Sequence, residues 1–306
     1  MPVRERTAIV SSGCLAAFVV RQALPQPSNW SRIRPLLSDG CIVNMLLAID
    51  ISNTTIKAGV FCGDKILADW RFATERHKMA DDYAMLLLNL FQAQGTPRDH
   101  ITGVSISCVV PPLRAVFERL SRRYLHVEPL IVGPDITLGV TLAVDNPLQV
   151  GADRVVNTLA AHRLYGGPAI SIAFGTATVF DCVSVDGHYL GGAIAPGMVV
   201  ALESLTRSAA QLSQIELIRP PQAIGKNSIH AMQSGLVLGY AALVEGLVKR
   251  LTREMSSPDA LQHVKVIATG GLAEVIAPET DAIDILDPHL TLKGLRLIYE
   301  LNHPAC

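Results

Sequence analysis

The sequence has no C-x-x-C pair, no run near the ~18 uninterrupted apolar residues of a membrane span, and no dominant sign of charge. Cys14, Cys41, Cys62, Cys108, Cys182 and Cys306 are scattered, and three of them fall inside apolar strand-like runs. There a thiol acts as a small hydrophobe, so a reducing, cytoplasmic compartment fits better than a disulfide framework. With 26 basic against 27 acidic residues the net charge is -1, which gives neither nucleic acid nor an anionic membrane a reason to bind. Residues 7–20 are apolar after a basic start, but Ser11-Ser12-Gly13 interrupts them and no A-x-A cleavage site follows, unlike a secretory signal. Residues 1–44 are expected to lie outside the fold, with Met45 opening the first well-formed strand.

What remains is an ordinary globular composition, 49% hydrophobic and 17% charged, over 306 residues. From Met45 strands precede and then alternate with helices. "LLAIDI", "KAGVFC" and "DKILADWRFA" read as strands, "MADDYAMLLLNLFQAQG" as a helix ended by glycine, and "GVSISCVV" as a buried strand. "PPLRAVFERLSRRYL" reads as a proline-led helix, "PLIVG" as a strand, and "VGADRVVNTLAAHRLYGG" as a helix with Val155, Val156, Leu159 and Ala160 on one face. The second half repeats the order: "AISIAF", "TVFDCVSV" and "HYLGGAIA" as strands, then helices over "MVVALESLTRSAAQL" and "SIHAMQSGLVLGYAALVEGLVKRLTREM". "VKVIATGG" and "AIDIL" follow as strands, and "TLKGLRLIYELN" as a last helix able to cross back to the first half. This predicts a duplicated α/β protein of two lobes, residues 45–160 and 161–306, with a ligand cleft between them.

Two strand-turn-strand stretches occupy equivalent places, "DISNTT" (Asp50 to Thr55) and "AFGTAT" (Ala173 to Thr178). Small hydroxyl-bearing turns can aim backbone N–H groups and hydroxyls at phosphate, and a carboxylate beside one can hold the Mg²⁺ that accompanies a nucleotide. Alone, each could equally be a plain hairpin. "VGADR" places Asp153 and Arg154 where a helix begins. They are either a helix cap or a base beside an anion clamp. "ATGGLA" and "GGAIAPG" supply glycines that permit close approach or simply tight packing.

Together with "NPLQVGADR", "FGTAT", "GKNS", "AMQSGLVLGY" and "LDPHLTLKGLRLIYELN", these motifs resemble the type III pantothenate kinases of the acetate-and-sugar-kinase/actin-like superfamily, from about Met45 to Asn302. The resemblance implies a duplicated actin-like, ribonuclease-H-like two-lobed kinase fold that phosphorylates pantothenate with Mg-ATP in coenzyme A synthesis. It further implies a homodimer that needs a monovalent cation, K⁺ or NH₄⁺. By resemblance, Asp50, Ile51, Ser52, Asn53, Thr54, Thr55, Ile56 and Lys57 form the ATP-contacting hairpin, with Asp50 on Mg²⁺. Thr176 contacts ATP from the second turn. Gly151, Ala152, Asp153 and Arg154 form the substrate motif, Asp153 as general base and Arg154 on the pantothenate carboxylate.

The chain departs from the family at several places. Ser52 replaces a glycine, and a Cβ there would cost about 1–2 kcal/mol if the turn needs a positive φ. Ala173 replaces the aspartate that helps bind the monovalent cation, so that ligand is lost. Asp181 is the nearest carboxylate along the hairpin, either a substitute or a solvated strand end. Val144 stands for a substrate-contacting tyrosine, Ala209 for a threonine reaching the substrate of the other subunit, and Ser213 for a proline. Three readings follow: an active pantothenate kinase, a catalytically impaired nucleotide-binding or regulatory paralogue, and a kinase for a different hydroxy acid.

Overall fold

The computed structural model describes residues 44–209, 212–255 and 263–304. Apart from Asn44, the N-terminal extension expected over 1–44 lies outside the described residues, as do Ala210 and Gln211 of the "TRSAAQLS" segment.

In the first half, β1 (Met45–Ile51), β2 (Thr55–Cys62) and β3 (Lys65–Ala73) form an antiparallel meander. Helix α1 (Ala80–Gln94), β4 (Ile101–Cys108), α2 (Pro111–Leu120) and β5 (Leu130–Ile131) follow. The sheet runs β3-β2-β1-β4-β5, with β4 parallel to β1. β6 (Thr141–Leu142) and α3 (Ala152–Tyr165) lead into a second meander, β7 (Ala169–Phe174), β8 (Ala177–Val183) and β9 (His188–Pro196). Next come α4 (Met198–Ser208), α5 (Ser228–Gln233), α6 (Gly239–Met255), β10 (Lys265–Gly270), α7 (Ala273–Ile276), β11 (Ile285–Leu286) and α8 (Leu290–Asn302). The second sheet runs β11-β10-β7-β8-β9-β6. Read from the other edge, β9-β8-β7-β10-β11 repeats the order of the first sheet, and the duplicated α/β architecture is the one the sequence predicts.

The sheets exchange elements across residues 160/161. β6 pairs in parallel with β9 at the edge of the second sheet, although it precedes α3 in the chain. Conversely α8, the last helix, packs on the first sheet. Its Leu292, Leu295 and Ile298 are buried with Leu46, Ala48 and Phe61 of β1 and β2, and with Val156 and Leu159 of α3. The next turn of α3 faces the other way, where Ala160 and Ala161 lie among Ala169, Val183 and Ile267 of the second sheet. Thus one helix is packed between both sheets. The outer face of each sheet has its own apolar core, beneath α1 and α2 in the first and beneath α4 to α7 in the second.

The stretch Ser228–Met255 is, among the described residues, the one helical run whose length and apolar composition would let it cross a membrane. A π-turn at Ser234–Leu238 interrupts it, and its Met232, Leu236, Val237, Tyr240 and Val244 are core residues of the second lobe.

The α3–α8 crossing is tight because position 294 is glycine. A Cβ there would sit 2.4 Å from the Val156 carbonyl oxygen, a backbone atom that has little room to yield. Beside it, the buried Thr291 hydroxyl donates to Asn157 Oδ1 at 2.8 Å. Gly294→Ala is therefore expected to destabilise by about 1–3 kcal/mol. Gly246→Ala, in α6 with nothing within 4 Å of the new methyl, is expected to stabilise by about 0.5–1 kcal/mol. Thermal melts of the two variants should shift in opposite directions, and a shared direction would contradict the packing described.

Candidate active site

The two polar turns meet. Thr54 and Thr176, at the exposed tips of the β1–β2 and β7–β8 turns, place their hydroxyl oxygens 2.7 Å apart. Behind each tip the sheet carries an equivalent row. In the first lobe Asp50 pairs across the ladders with Lys57 and Ser107. In the second, Ala173 pairs with Val179 and Thr269. The duplication therefore sets a charged row against an apolar one, and the only polar side chain in the second row is Thr269.

Asp50 is 2% exposed, and its Oδ1 has no hydrogen-bond partner. Burial pushes its carboxyl up to about 6, against the pull of Lys57, while the negative charge of Asp153 pushes it further. Burial likewise pushes the Lys57 ammonium down, and Asp50 draws it back. An orphaned, buried carboxylate oxygen behind the first turn fits the first-lobe end of a divalent-cation site whose other ligands are phosphate and water. Among the described residues no group of three acidic, histidine or cysteine side chains gathers to hold a metal by itself.

Ser52 shows none of the strain considered for it. His126 is the one non-glycine residue with positive φ among those described, so a Cβ at 52 is free of that penalty. Its hydroxyl donates to Asp50 Oδ2 at 3.3 Å, and its carbonyl accepts from Thr74 Oγ1 at 2.7 Å. Asn53 at the tip accepts from Arg76 at 3.0 Å. Ile51 and Ile56 turn fully into the core, and the Thr55 carbonyl accepts from the Ser52 amide. For Ile51 and Ile56 only backbone atoms are open to a nucleotide.

Gly151 is the N-cap of α3, which places Ala152, Asp153 and Arg154 in the first turn. Asp153 Oδ1 accepts from the Arg154 amide at 3.0 Å, a cap-like bond that leaves its other carboxylate oxygen free of it. Burial raises the Asp153 carboxyl, opposed by that amide, by Arg154 and by Lys57. A carboxylate raised in this way is a better proton acceptor near neutral pH.

Arg154 is not the free fork that its position in the motif suggests. Its Nε and Nη2 both donate to Asp181 Oδ1, at 2.8 and 2.7 Å. Asp181 is 1% exposed, not a solvated strand end, and burial pushes it up to about 6 against the pull of Arg154. The remaining guanidinium edge faces a cavity of about 330 Å³ lined by Val144, Asp145, Asn146, Gln149, Val150, Tyr189, Gly191, Gly192 and Ile194. Val144 and Arg154, singled out separately in the sequence, thus share one cavity. Ala209 ends α4 as its C-cap and is not among the lining residues. Sequence reasoning missed Tyr189 and the functional side of the "GG" of β9. A Cβ at Gly192 would overlap the Phe180 carbonyl, so glycine there lets β9 lie flat against β8 and leaves the cavity open.

Two pseudo-symmetric lobes, facing hydroxyl turns, a buried carboxylate in the first and an acid–arginine pair at a helix start define a phosphotransferase of the acetate-and-sugar-kinase/actin-like class. The family model for type III pantothenate kinase matches residues 46–250. The type III pantothenate kinase of Roseiflexus sp. (strain RS-1) is 55% identical over 258 residues, covering 84% of this chain and 99% of that protein. That of Moorella thermoacetica is 46% identical over 258 residues, covering 84% of this chain and all of that protein. The chain belongs to the type III pantothenate kinase family. Among solved structures, a Campylobacter jejuni protein described as a Baf family transcriptional activator superposes with a TM-score of 0.52. At 18% identity over 85% of this chain and all of that one, it supports the fold alone.

The pH behaviour of Asp50 follows from its position. Its folded pKa of about 6 lies above the ordinary 3.8, so its contribution to stability is fully present below 3.8 and is lost as pH rises through 6. Asp50→Asn should therefore raise the melting temperature at pH 8, by on the order of 2 kcal/mol of stability, and the gain should vanish by pH 4. Melting curves of both proteins across this range check the sign. A variant less stable than wild type at pH 8 would refute the buried, uncompensated carboxylate.

Proposed function

We propose that the protein phosphorylates pantothenate to 4'-phosphopantothenate with ATP, the first step of coenzyme A synthesis. The observation that carries this is Asp153 and Arg154 at the start of α3, beside an open cavity and behind the paired turns, in a chain of this family. The triphosphate lies between the Asp50–Lys57 hairpin and Thr176, held by backbone amides and hydroxyls. Asp50, with its unpartnered oxygen, would hold Mg²⁺, which when bound neutralises charge on the phosphates. The pantothenate carboxylate lies against the open edge of Arg154. Asp153 accepts the proton of the primary hydroxyl as its oxygen bonds to the γ-phosphorus, and the bond from that phosphorus to the β–γ bridging oxygen breaks, releasing ADP.

In this reading the enzyme is cytoplasmic and engages neither nucleic acid nor membrane. It works as a homodimer. Exposed Leu190 and Ile194 of β9, the latter in the cavity wall, are apolar surface that a second copy could cover. At the monovalent-cation position Ala173 offers no oxygen, so K⁺ or NH₄⁺ dependence should be weak. A reading with a different hydroxy acid draws on Val144, whose methyl groups stand against Gly191 in the cavity wall.

The test is ADP release coupled to NADH oxidation, with pantothenate and Mg-ATP, with and without K⁺. Pantothenate-dependent turnover is expected, little changed by K⁺, with kcat lowered about 10²–10⁴-fold by Asp153→Asn. Tight ATP binding without pantothenate-dependent turnover would favour the nucleotide-binding paralogue.

A further inference from the structure

Asp181 has no role assigned by the phosphoryl-transfer chemistry, yet it is the most heavily engaged carboxylate near the site. It lies on β8, opposite Ser171 of β7 and Gly192 of β9. Arg154 Nε and Nη2 and the Tyr189 hydroxyl, the last at 3.0 Å, all donate to its Oδ1. The Arg154 guanidinium carbon also lies 5.7 Å from the centre of the Tyr189 ring. The arrangement is one-sided. The Asp181 side chain is 1% exposed, whereas that of Arg154 is 19% exposed, so the carboxylate grips the hidden edge and the other edge is left to the cavity. Arginine has five N–H donors, and two are spent on Asp181. The remaining three, with their direction fixed, are what a bound acid would meet.

A purely structural ion pair could be buried anywhere. This one lies at the wall of the cavity, which Arg154 lines. It spans from the first turn of α3 to the middle of the second sheet, and both of its cavity-side neighbours, Tyr189 and Gly192, line the cavity. A long side chain held at the Nε edge loses little further rotamer freedom when a ligand arrives, and this preorganisation is what turns one arginine into a directional carboxylate receptor.

We propose that Asp181, assisted by Tyr189, is a positioning residue that aims Arg154 at the carboxylate of the acceptor substrate. The inference rests on the pantothenate reading and adds to it a residue that acts on the acid end of the substrate and not on the nucleotide.

The test compares pantothenate with its amide, which lacks the carboxylate, in wild type, Asp181→Asn and Tyr189→Phe. Melting temperatures confirm that each variant is folded. Asp181→Asn should raise KM for pantothenate about tenfold, with KM for ATP unchanged and kcat within about threefold. Its KM for the amide should stay within about twofold of wild type. Tyr189→Phe, which removes one of the three donors, should give a smaller penalty, again only on the acid. Equal penalties on acid and amide, or a fall in kcat with both KM values raised, would show a general structural role and overturn the inference. So would an unchanged KM for the acid. A wild-type protein that turns over neither compound would overturn the pantothenate reading, and with it the ligand assigned to Arg154. Wild-type turnover with equal penalties would overturn only the role of Asp181.

Discussion

The fold depends on the contact between α3 and α8, where the Val156 carbonyl lies so near Gly294 that no side chain fits. Helix α3 comes midway in the chain and α8 at its end, and each packs against the first sheet through the other. Because Ala160 and Ala161 of α3 also pack on the second sheet, this one helix fixes the angle between the lobes. Its first turn carries Asp153 and Arg154. The distance from Asp153 to the two polar turns is therefore set by packing more than a helical turn away, and tight packing transmits such a constraint well.

Burial is used in this cleft against stability. Asp50 and Asp181 are both pushed up to about 6 by burial, and neither is fully offset by its partner. An acid–arginine pair of this kind adds little to the folding free energy compared with apolar residues of the same volume, but it does fix direction. That cost falls at the two places to which the proposed reading gives a role: Asp50 in one lobe and the Arg154–Asp181 pair beside the cavity in the other. Preorganised charge in a partly dry cleft is the usual source of rate enhancement in such enzymes.

Much of this was legible in the sequence, through local pattern. The strand order of both halves, the glycine-ended α1, the proline-led α2 and the buried face of α3 follow from periodicity and punctuation. The equivalence of the turns at Asp50 and Ala173 holds in the ladders themselves. What escaped depends on non-local pairing. The union of β6 with β9 involves only two residues on each strand, too short to leave a pattern. By sequence Asp181 could be a substitute cation ligand or a solvated strand end, because its partner, Arg154, lies 27 residues earlier on another element. Ser52 looked strained only while its φ was unknown; the turn takes a conformation open to any residue and uses the hydroxyl.

The contact between Thr54 and Thr176 bears on how the cleft opens. It joins two exposed neutral hydroxyls, a bond worth roughly 0.5–1.5 kcal/mol at most. That is enough to keep the tips in register and too little to lock them. In the proposed reading, a phosphate oxygen between the tips would accept from both hydroxyls, so that one hydrogen bond gives way to two. The tips therefore part at little cost, and the firm resistance to motion lies behind them, in the helix shared by both sheets.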